Sequence, residues 1–166
     1  MPYTPNTTWV DGSGGGTPLS AARLNNMEPA AFGAYFAYTP TWTASGTAPA
    51  IGNAAVTGRY VQIGKLVHAY GLISFGATST YGTGQYRFAL PVAASGNASR
   101  IIGCFDIYDA SSNNAGFGTA EIVTSTTVQL VYPATYLGAR TTVAQTAPWT
   151  WTTSDFIAWN LTYEAA

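Results

Sequence analysis

The sequence predicts a mainly β protein, in which an N-terminal arm and a short helix precede an antiparallel, jelly-roll-like β-sandwich. Residues 38–166 contain about eight short stretches rich in β-branched and aromatic residues, separated by turn-forming residues. No helical period runs through this region. Hydrophobic residues make up 47% of the 166 residues, which is ample for the core of one domain. We therefore expect two parts, residues 1–37 and residues 38–166.

The central element of the predicted sandwich is the stretch 58–75. Its aliphatic and aromatic residues favour strands, and the glycines at 64 and 71 predict two strand segments joined at a kink or bulge. From Lys65 onward, two apolar sets face opposite sides: Val67, Ala69, Ile73 and Phe75 on one, and Leu66, His68, Tyr70 and Leu72 on the other. A strand that is apolar on both sides belongs in the middle of a sandwich or at a subunit interface.

The remaining strands are shorter. Residues 38–43 and 48–57 are broken by prolines and glycines, which favours edge strands or loops. Strands are also predicted at 85–90 and 100–108, and a loop at 109–116. A hairpin is predicted from 118–123 and 127–132, and a weaker strand within 135–143. Residues 156–163 alternate so that one face carries Ile157, Trp159, Leu161 and Tyr163.

The N-terminal part has no strand pattern. Residues 1–16 contain two prolines and end in a Gly/Ser stretch, which is typical of an extended arm. Thr17-Pro18 predicts a helix start, because the Thr side chain can cap the helix and Pro fits its first position. The helix is expected to continue to Glu28, where Pro29 interrupts it. A helix this short needs a partner surface, so we expect Trp9, Val10, Leu19, Leu24 and Met27 to anchor the segment to another protein.

The charge pattern limits the classes of partner that the protein is expected to bind. Only 8% of residues are charged, the net charge is −1, and the six basic residues are scattered, which argues against a nucleic-acid partner. A surface so poor in charge is typical of proteins that associate with copies of themselves or with neighbours in an assembly. The sequence shows no secretory signal and no run long enough to span a bilayer, so we expect synthesis in a cytoplasm without membrane insertion.

No catalytic, metal or cofactor site is expected. His68 is the one histidine, and no nucleophile-elbow pattern accompanies it, so it fits a packed strand histidine or one near a threefold axis. Asp106 and Asp109 would point to opposite faces of an extended strand, which fits solvated or turn-capping aspartates better than a glycosidase pair. The single Cys104 lies in an apolar run and is expected to be a small buried residue.

Three aromatic residues are candidates for contact with a ligand or a partner. Trp149 and Trp151 are separated by one Thr and followed by hydroxyl residues, and Tyr81 lies in a Gly/Thr-rich loop. Flat rings beside hydrogen-bonding groups suit a sugar, and they equally suit a trimer interface or the core.

The N-terminal string carries a resemblance to a known class of protein. Residues 7–28 contain Trp-x-Asp-Gly, then Thr-Pro-Leu-x-Ala, then Leu-Asn-x-Met-Glu. This pattern resembles the N-terminal signature of small tailed-bacteriophage virion proteins of the minor tail protein, tail fibre or head fibre type. The segments 38–53, 58–67 and 86–91 are similar to the β-rich distal domain of the same proteins. Pro29 departs from the pattern, because the helix would be expected to continue there.

The resemblance implies a non-enzymatic structural protein of the virion, assembled in the host cytoplasm. It implies a homotrimeric fibre or spike on the tail or the capsid, anchored by residues 1–37 to other virion proteins and carrying a jelly-roll-like tip. Contact with a bacterial surface glycan would follow if the tip has an exposed aromatic site. The alternative is a carbohydrate-binding or carbohydrate-degrading tip, for which Asp106, Asp109 or Glu121 would have to meet Trp149 or Trp151 in one cleft.

Overall fold

A computed structural model describes residues 34–96, 100–134 and 139–166, and the chain is mainly β throughout these ranges. The predicted helix at 17–28 and the five predicted anchoring residues, Trp9, Val10, Leu19, Leu24 and Met27, lie outside the described residues. The strands are β1 (Phe36–Ala37), β2 (Trp42–Ala44), β3 (Ala55–Ile63), β4 (Leu66–Ser74), β5 (Tyr86–Ala89), β6 (Ile101–Asp109), β7 (Asn114–Thr124), β8 (Thr127–Pro133), β9 (Arg140–Thr142) and β10 (Phe156–Glu164).

All ten strands belong to one antiparallel sheet with the order β1-β3-β4-β10-β6-β7-β8-β5-β2, and β9 also pairs with β8. The sheet curls into a half-barrel around the core. Trp42 of β2, at one end of this order, has its ring 5.0 Å from that of Phe75, which follows β4. Phe88 of β5 lies 4.6 Å from Trp159 of β10, between ring centres. Strands that are distant in the sheet order therefore meet across one enclosed face.

Strands β3 and β4 form a hairpin. Nine residue pairs connect them, from Ala55↔Ser74 to Ile63↔Leu66, and Gly64 and Lys65 form the turn. Gly64 has a φ of 59°, the left-handed conformation that glycine adopts without strain. The prediction of a kink or bulge in this stretch was wrong, because the chain reverses at Gly64 and Gly71 lies inside β4.

The predicted alternation along β4 and β10 is confirmed. Val67, Ala69, Ile73 and Phe75 are buried, whereas Leu66 and Tyr70 are exposed. In β10, the buried side chains are Ile157, Trp159, Leu161 and Tyr163. The predicted hairpin of β7 and β8 is also confirmed, although β7 begins at Asn114, so the connection from β6 is a tight turn instead of the longer predicted loop.

One row of paired residues crosses five strands on the core side of the sheet. It consists of Gly58, Gly71, Trp159, Phe105 and Gly118, each opposite the next. A Cβ atom added at Gly71 would collide with the Trp159 indole, and one added at Gly118 would collide with the Phe105 ring. The two large rings therefore lie over glycines of neighbouring strands, where any side chain would displace them.

Substitution of Gly71 by Ala tests this packing. The added methyl group has no room beside Trp159, so we expect the free energy of unfolding to fall by about 1–3 kcal/mol. Urea unfolding followed by tryptophan fluorescence would measure the change. Gly96→Ala is the matched control, because no atom lies within 4 Å of the added Cβ at that position. Equal stabilities for the two variants would contradict the proposed role of the Gly71–Trp159 contact.

Candidate interaction site

The side of the sheet opposite the core carries exposed apolar side chains, and we call the part formed by β3, β4, β10, β6 and β7 the outer face. Strand pairing places two rows of side chains across it: Thr57, Leu72, Ala158, Asp106 and Phe117 in one, and Arg59, Tyr70, Asn160, Cys104 and Thr119 in the other. Phe117 is 82% exposed, Leu66 55% and Tyr70 39%. Such a concentration of exposed large apolar residues on one face is typical of an interaction surface.

A groove of about 630 Å³ lies in the middle of the outer face. Tyr70 and Phe117 flank it from β4 and β7, and Leu72 and Ala158 line it between them. Its polar lining includes Asp106 and Asn160 with Cys104. The groove is thus mainly apolar, with a small number of groups that could hydrogen-bond to a partner.

The chain enters the described part of the fold on the outer face. The ring of Tyr35 lies 5.8 Å from that of Tyr70 and 6.3 Å from that of His68, between ring centres. His68 is half-buried, and its Nδ1 lies 3.1 Å from Thr162 Oγ1, within hydrogen-bond distance. His68 is therefore a strand histidine packed among aromatic and hydroxyl side chains of this face.

Cys104 also lies on the outer face, and it is exposed. The prediction that it is buried was wrong. In β6 the core positions are taken by the larger Phe105 and Ile107, so the alternation of the strand turns Cys104 and Asp106 outward. Its side chain lines the groove between Tyr70 and Phe117.

Two oppositely charged residues, Arg59 and Asp106, lie on the outer face too far apart to form an ion pair with each other. Arg59 is on β3 and Asp106 is on β6, with β4 and β10 between them. At about 4.8 Å between neighbouring strands and with an offset of two residues along the strands, their Cα atoms are about 16 Å apart. Neither has an ion-pair partner among the described residues, in which the single ion pair joins Arg140 to Glu121.

The three predicted aromatic contacts lie together in a second region, which we call the aromatic cluster: Trp42, Phe75, Tyr81, Tyr86, Trp149 and Trp151. Trp151 is 2% exposed, and its Nε1 donates a 2.8 Å hydrogen bond to the Ala144 carbonyl. Its ring is thus part of the core. Trp149 and Tyr81 are half-buried, with ring centres 5.5 Å from Trp151 and 5.2 Å from Phe75 respectively. They are the members that keep part of their surface in solvent.

The acid that belongs to the aromatic cluster is Asp155, which the sequence analysis did not identify. It is fully buried, and its carboxylate accepts hydrogen bonds from the backbone N–H of Thr152 at 2.7 Å and of Ala110 at 2.9 Å. Burial, and secondarily the negative charge of Asp155, raise the pKa of Tyr81. The Thr-Thr-Ser-Asp sequence before β10 is a turn signal that could have indicated the contact with Thr152. The contact with Ala110 depends on the tertiary fold.

The three acids proposed for a carbohydrate cleft occupy different surroundings. Asp106 is exposed on the outer face. Asp109 is buried and caps the turn between β6 and β7, as predicted, by accepting hydrogen bonds from the backbone N–H and hydroxyl groups of Ser111 and Ser112. Glu121 is buried in its ion pair with Arg140. Asp109 and Glu121 are therefore already engaged in stabilising the fold.

Within residues 34–96, 100–134 and 139–166, no group of three or more His, Cys, Asp or Glu side chains is arranged to hold a metal ion. The same ranges contain no helix that is long and apolar enough to cross a membrane. Comparison of the chain with protein families, with curated proteins and with solved structures returns no match.

The turn capped by Asp109 makes stability depend on pH. The hydroxyl groups of Ser112 and Ser111, followed by their backbone N–H groups, lower the pKa of the Asp109 carboxyl by stabilising its charged form. The unfolded chain therefore binds a proton at a higher pH than the folded one. Asp109 stabilises the fold fully above its ordinary pKa of about 4, and this contribution is lost as the pH falls through the lowered folded pKa.

We expect Asp109→Asn to lower the urea midpoint at pH 7 and to make the midpoint less sensitive to pH between 5 and 2 than in the wild type. Urea unfolding at a series of pH values would measure both effects. Glu164→Gln is the matched control, since Glu164 is an exposed acid of β10 whose side chain makes no hydrogen bond to the described residues. If both variants kept the pH dependence of the wild type, Asp109 would not be the group responsible.

Proposed function

We propose that this chain is a non-enzymatic structural protein of a tailed-bacteriophage virion, a homotrimeric fibre or spike on the tail or capsid. The single observation that carries the proposal is the N-terminal string, in which Trp9, Asp11-Gly12, Thr17-Pro18-Leu19 and Leu24-Asn25 stand at the spacings of the resembling virion proteins. Residues 1–37 anchor the protein to its neighbours in the particle. Residues 38–166 project outward as a jelly-roll-like tip.

The β domain is compatible with this role in two respects. Its long strands pair through an extensive antiparallel sheet, which suits a part that must persist outside the cell. It also carries few charges and leaves large apolar side chains exposed on the outer face, as expected of a subunit that meets copies of itself. Binding, and not chemistry, is the proposed mechanism.

A carbohydrate-binding tip is the second candidate, and the half-buried rings of Tyr81 and Trp149 favour it. Both rings lie at the aromatic cluster with part of their surface in solvent, and the hydroxyl-rich stretch 152–154 follows Trp151 in the chain. An aromatic ring can stack on the C–H face of a sugar while hydroxyl groups bond to it. Carbohydrate cleavage has less support, because the carboxylates of Asp109 and Glu121 are each engaged with other protein groups.

Localisation of the chain on purified virions tests the leading proposal. We expect cryo-electron microscopy of the phage that encodes it to show threefold density of this size, with the N-terminal part against the capsid or the tail. Threefold spikes on the shell would establish capsid decoration, and density at the tail tip would establish a tail fibre and justify a glycan-binding screen. Absence of the chain from the particle would overturn the proposal.

Variants of the anchoring segment test its proposed role separately. Particles lacking the protein would be mixed with purified full-length chain, and the bound fraction measured after sedimentation. We expect Trp9→Ala combined with Leu24→Asp to reduce the bound fraction at least about tenfold, because two apolar anchors are lost. Thr43→Asp, on the exposed side of edge strand β2, is the control and should bind like the wild type. Equal binding of all variants would show that the anchor lies elsewhere.

A further inference from the structure

We infer that the outer face is the surface through which copies of this chain associate, with Tyr70, Leu72 and Phe117 as its apolar contacts and Arg59 pairing with Asp106 of the next copy. This inference rests on the trimer of the proposed function and assigns its interface. It follows from two properties of the face: its apolar exposure and the placement of its charges.

The apolar exposure is concentrated and not scattered. Phe117, Leu66, Ile63, Tyr70 and Ile101 are the most exposed large apolar residues of β3–β7, and Tyr35 adds a further exposed ring beside Tyr70. An 82% exposed Phe in the middle of a regular strand is unfavourable in a free monomer, because its ring remains in water. Burial of these side chains against a second copy would remove that cost.

The size of the face determines how much of a subunit contact it supplies. Nine-residue strands at about 3.3 Å per residue and five strands at about 4.8 Å give a face of roughly 20 by 27 Å, on the order of 500 Å² in projection. Its accessible area is larger, because Phe117, Tyr70 and Leu66 project from it. Stable interfaces bury about 800 Å² on each partner. In a closed ring the outer face is shared between two neighbours, so it contributes roughly 250 Å² in projection to each contact.

The charges identify the partner as another copy. Arg59 lies on the β3 side of the face and Asp106 on the β6 side, with apolar residues between them. In a closed ring the β3 side of one copy meets the β6 side of the next, so Arg59 meets an opposite charge that no described residue of its own chain supplies. The groove between Tyr70 and Phe117 is then positioned to receive an apolar side chain of the neighbour.

Cys104 provides an internal probe of the inference. It is the one cysteine of the chain, it is exposed, and it lines the groove. A thiol covered by a neighbouring copy reacts slowly with a maleimide, and the same thiol on a free monomer reacts fast. Its reaction rate therefore reports coverage of the outer face independently of the mass of the assembly.

The test combines analytical ultracentrifugation of the full-length chain with the rate of Cys104 alkylation. We expect a trimeric wild type, and a Phe117→Asp variant whose association is at least about tenfold weaker and whose Cys104 reacts at least about tenfold faster. Phe117 is so exposed that the substitution leaves the core intact, which circular dichroism would verify. Thr43→Asp, an exposed residue on β2 outside the outer face, is the matched control and should remain trimeric.

The charge pairing has its own test. Arg59→Asp and Asp106→Arg should each weaken association, and the double variant should restore it, because the two charges are exchanged between neighbouring copies. A double variant as weak as the sum of the two single ones would overturn the pairing.

The outcomes distinguish the inference from the proposed function. A wild type and a Phe117→Asp variant that are equally trimeric, with equally reactive Cys104, would overturn the assigned interface and leave the trimer standing. A wild type that is monomeric at all concentrations would overturn both the interface and the trimeric state. The presence of the chain on the virion is decided by microscopy in either case.

Discussion

The close packing of Trp159 against Gly71 is the constraint on which the rest of the structure depends. The two residues face each other in the centre of the sheet, where β10 and β4 pair over nine residues. The indole fits there because Gly71 has no side chain, and Phe88 covers it from across the core at 4.6 Å. A slip of the register by one residue would place Tyr70 or Leu72 opposite Trp159 and turn the core side chains outward.

This register also determines what faces outward. Once Trp159 and Ile73 are inside, Tyr70 and Leu72 must lie on the outer face, whatever their hydrophobicity. The same holds one strand further, where Phe105 and Ile107 fill the core and leave Cys104 and Asp106 outside. The exposed apolar residues of the outer face are therefore a consequence of the packing of the core. The packing of the core does not determine which residue types occupy these outward positions. Their hydrophobicity therefore points to a partner.

Alternation within a strand was sufficient to predict part of this fold. The buried side chains of β4 and β10 follow from the alternation of neighbouring residues, and this prediction is confirmed. The hairpin of β7 and β8 depends on one tight turn, and it is confirmed as well. The reversal at Gly64 was missed because a lone glycine fits a bulge as well as a turn. The sheet order and the row of Gly58, Gly71 and Gly118 beneath aromatic rings depend on contacts between residues far apart in the chain.

The candidate sites, like the fold, could be predicted only where they depend on residues close together in the chain. The two-sided apolar pattern of β4 correctly indicated a strand with large apolar side chains on both faces, although it could not show that Phe117 of β7 would join the outer one. Trp149, Trp151 and Tyr81 were singled out together, and the structure brings them together. The buried position of Trp151 and the role of Asp155 follow from packing against Phe75 and the turn at Ala110, which no local pattern reveals.

The outer face and the aromatic cluster differ in how much binding energy they can still supply. In the cluster, the rings of Trp42, Phe75, Tyr86 and Trp151 already contact one another, so most of the gain from their burial is realised within the monomer. On the outer face, Phe117, Leu66 and Tyr70 retain large areas in water. At about 25 cal/mol for each Å² of apolar area buried, this second surface has the larger unrealised stabilisation. Association through the outer face would thus fix the subunits and leave Tyr81 and Trp149 available at the other region of the domain.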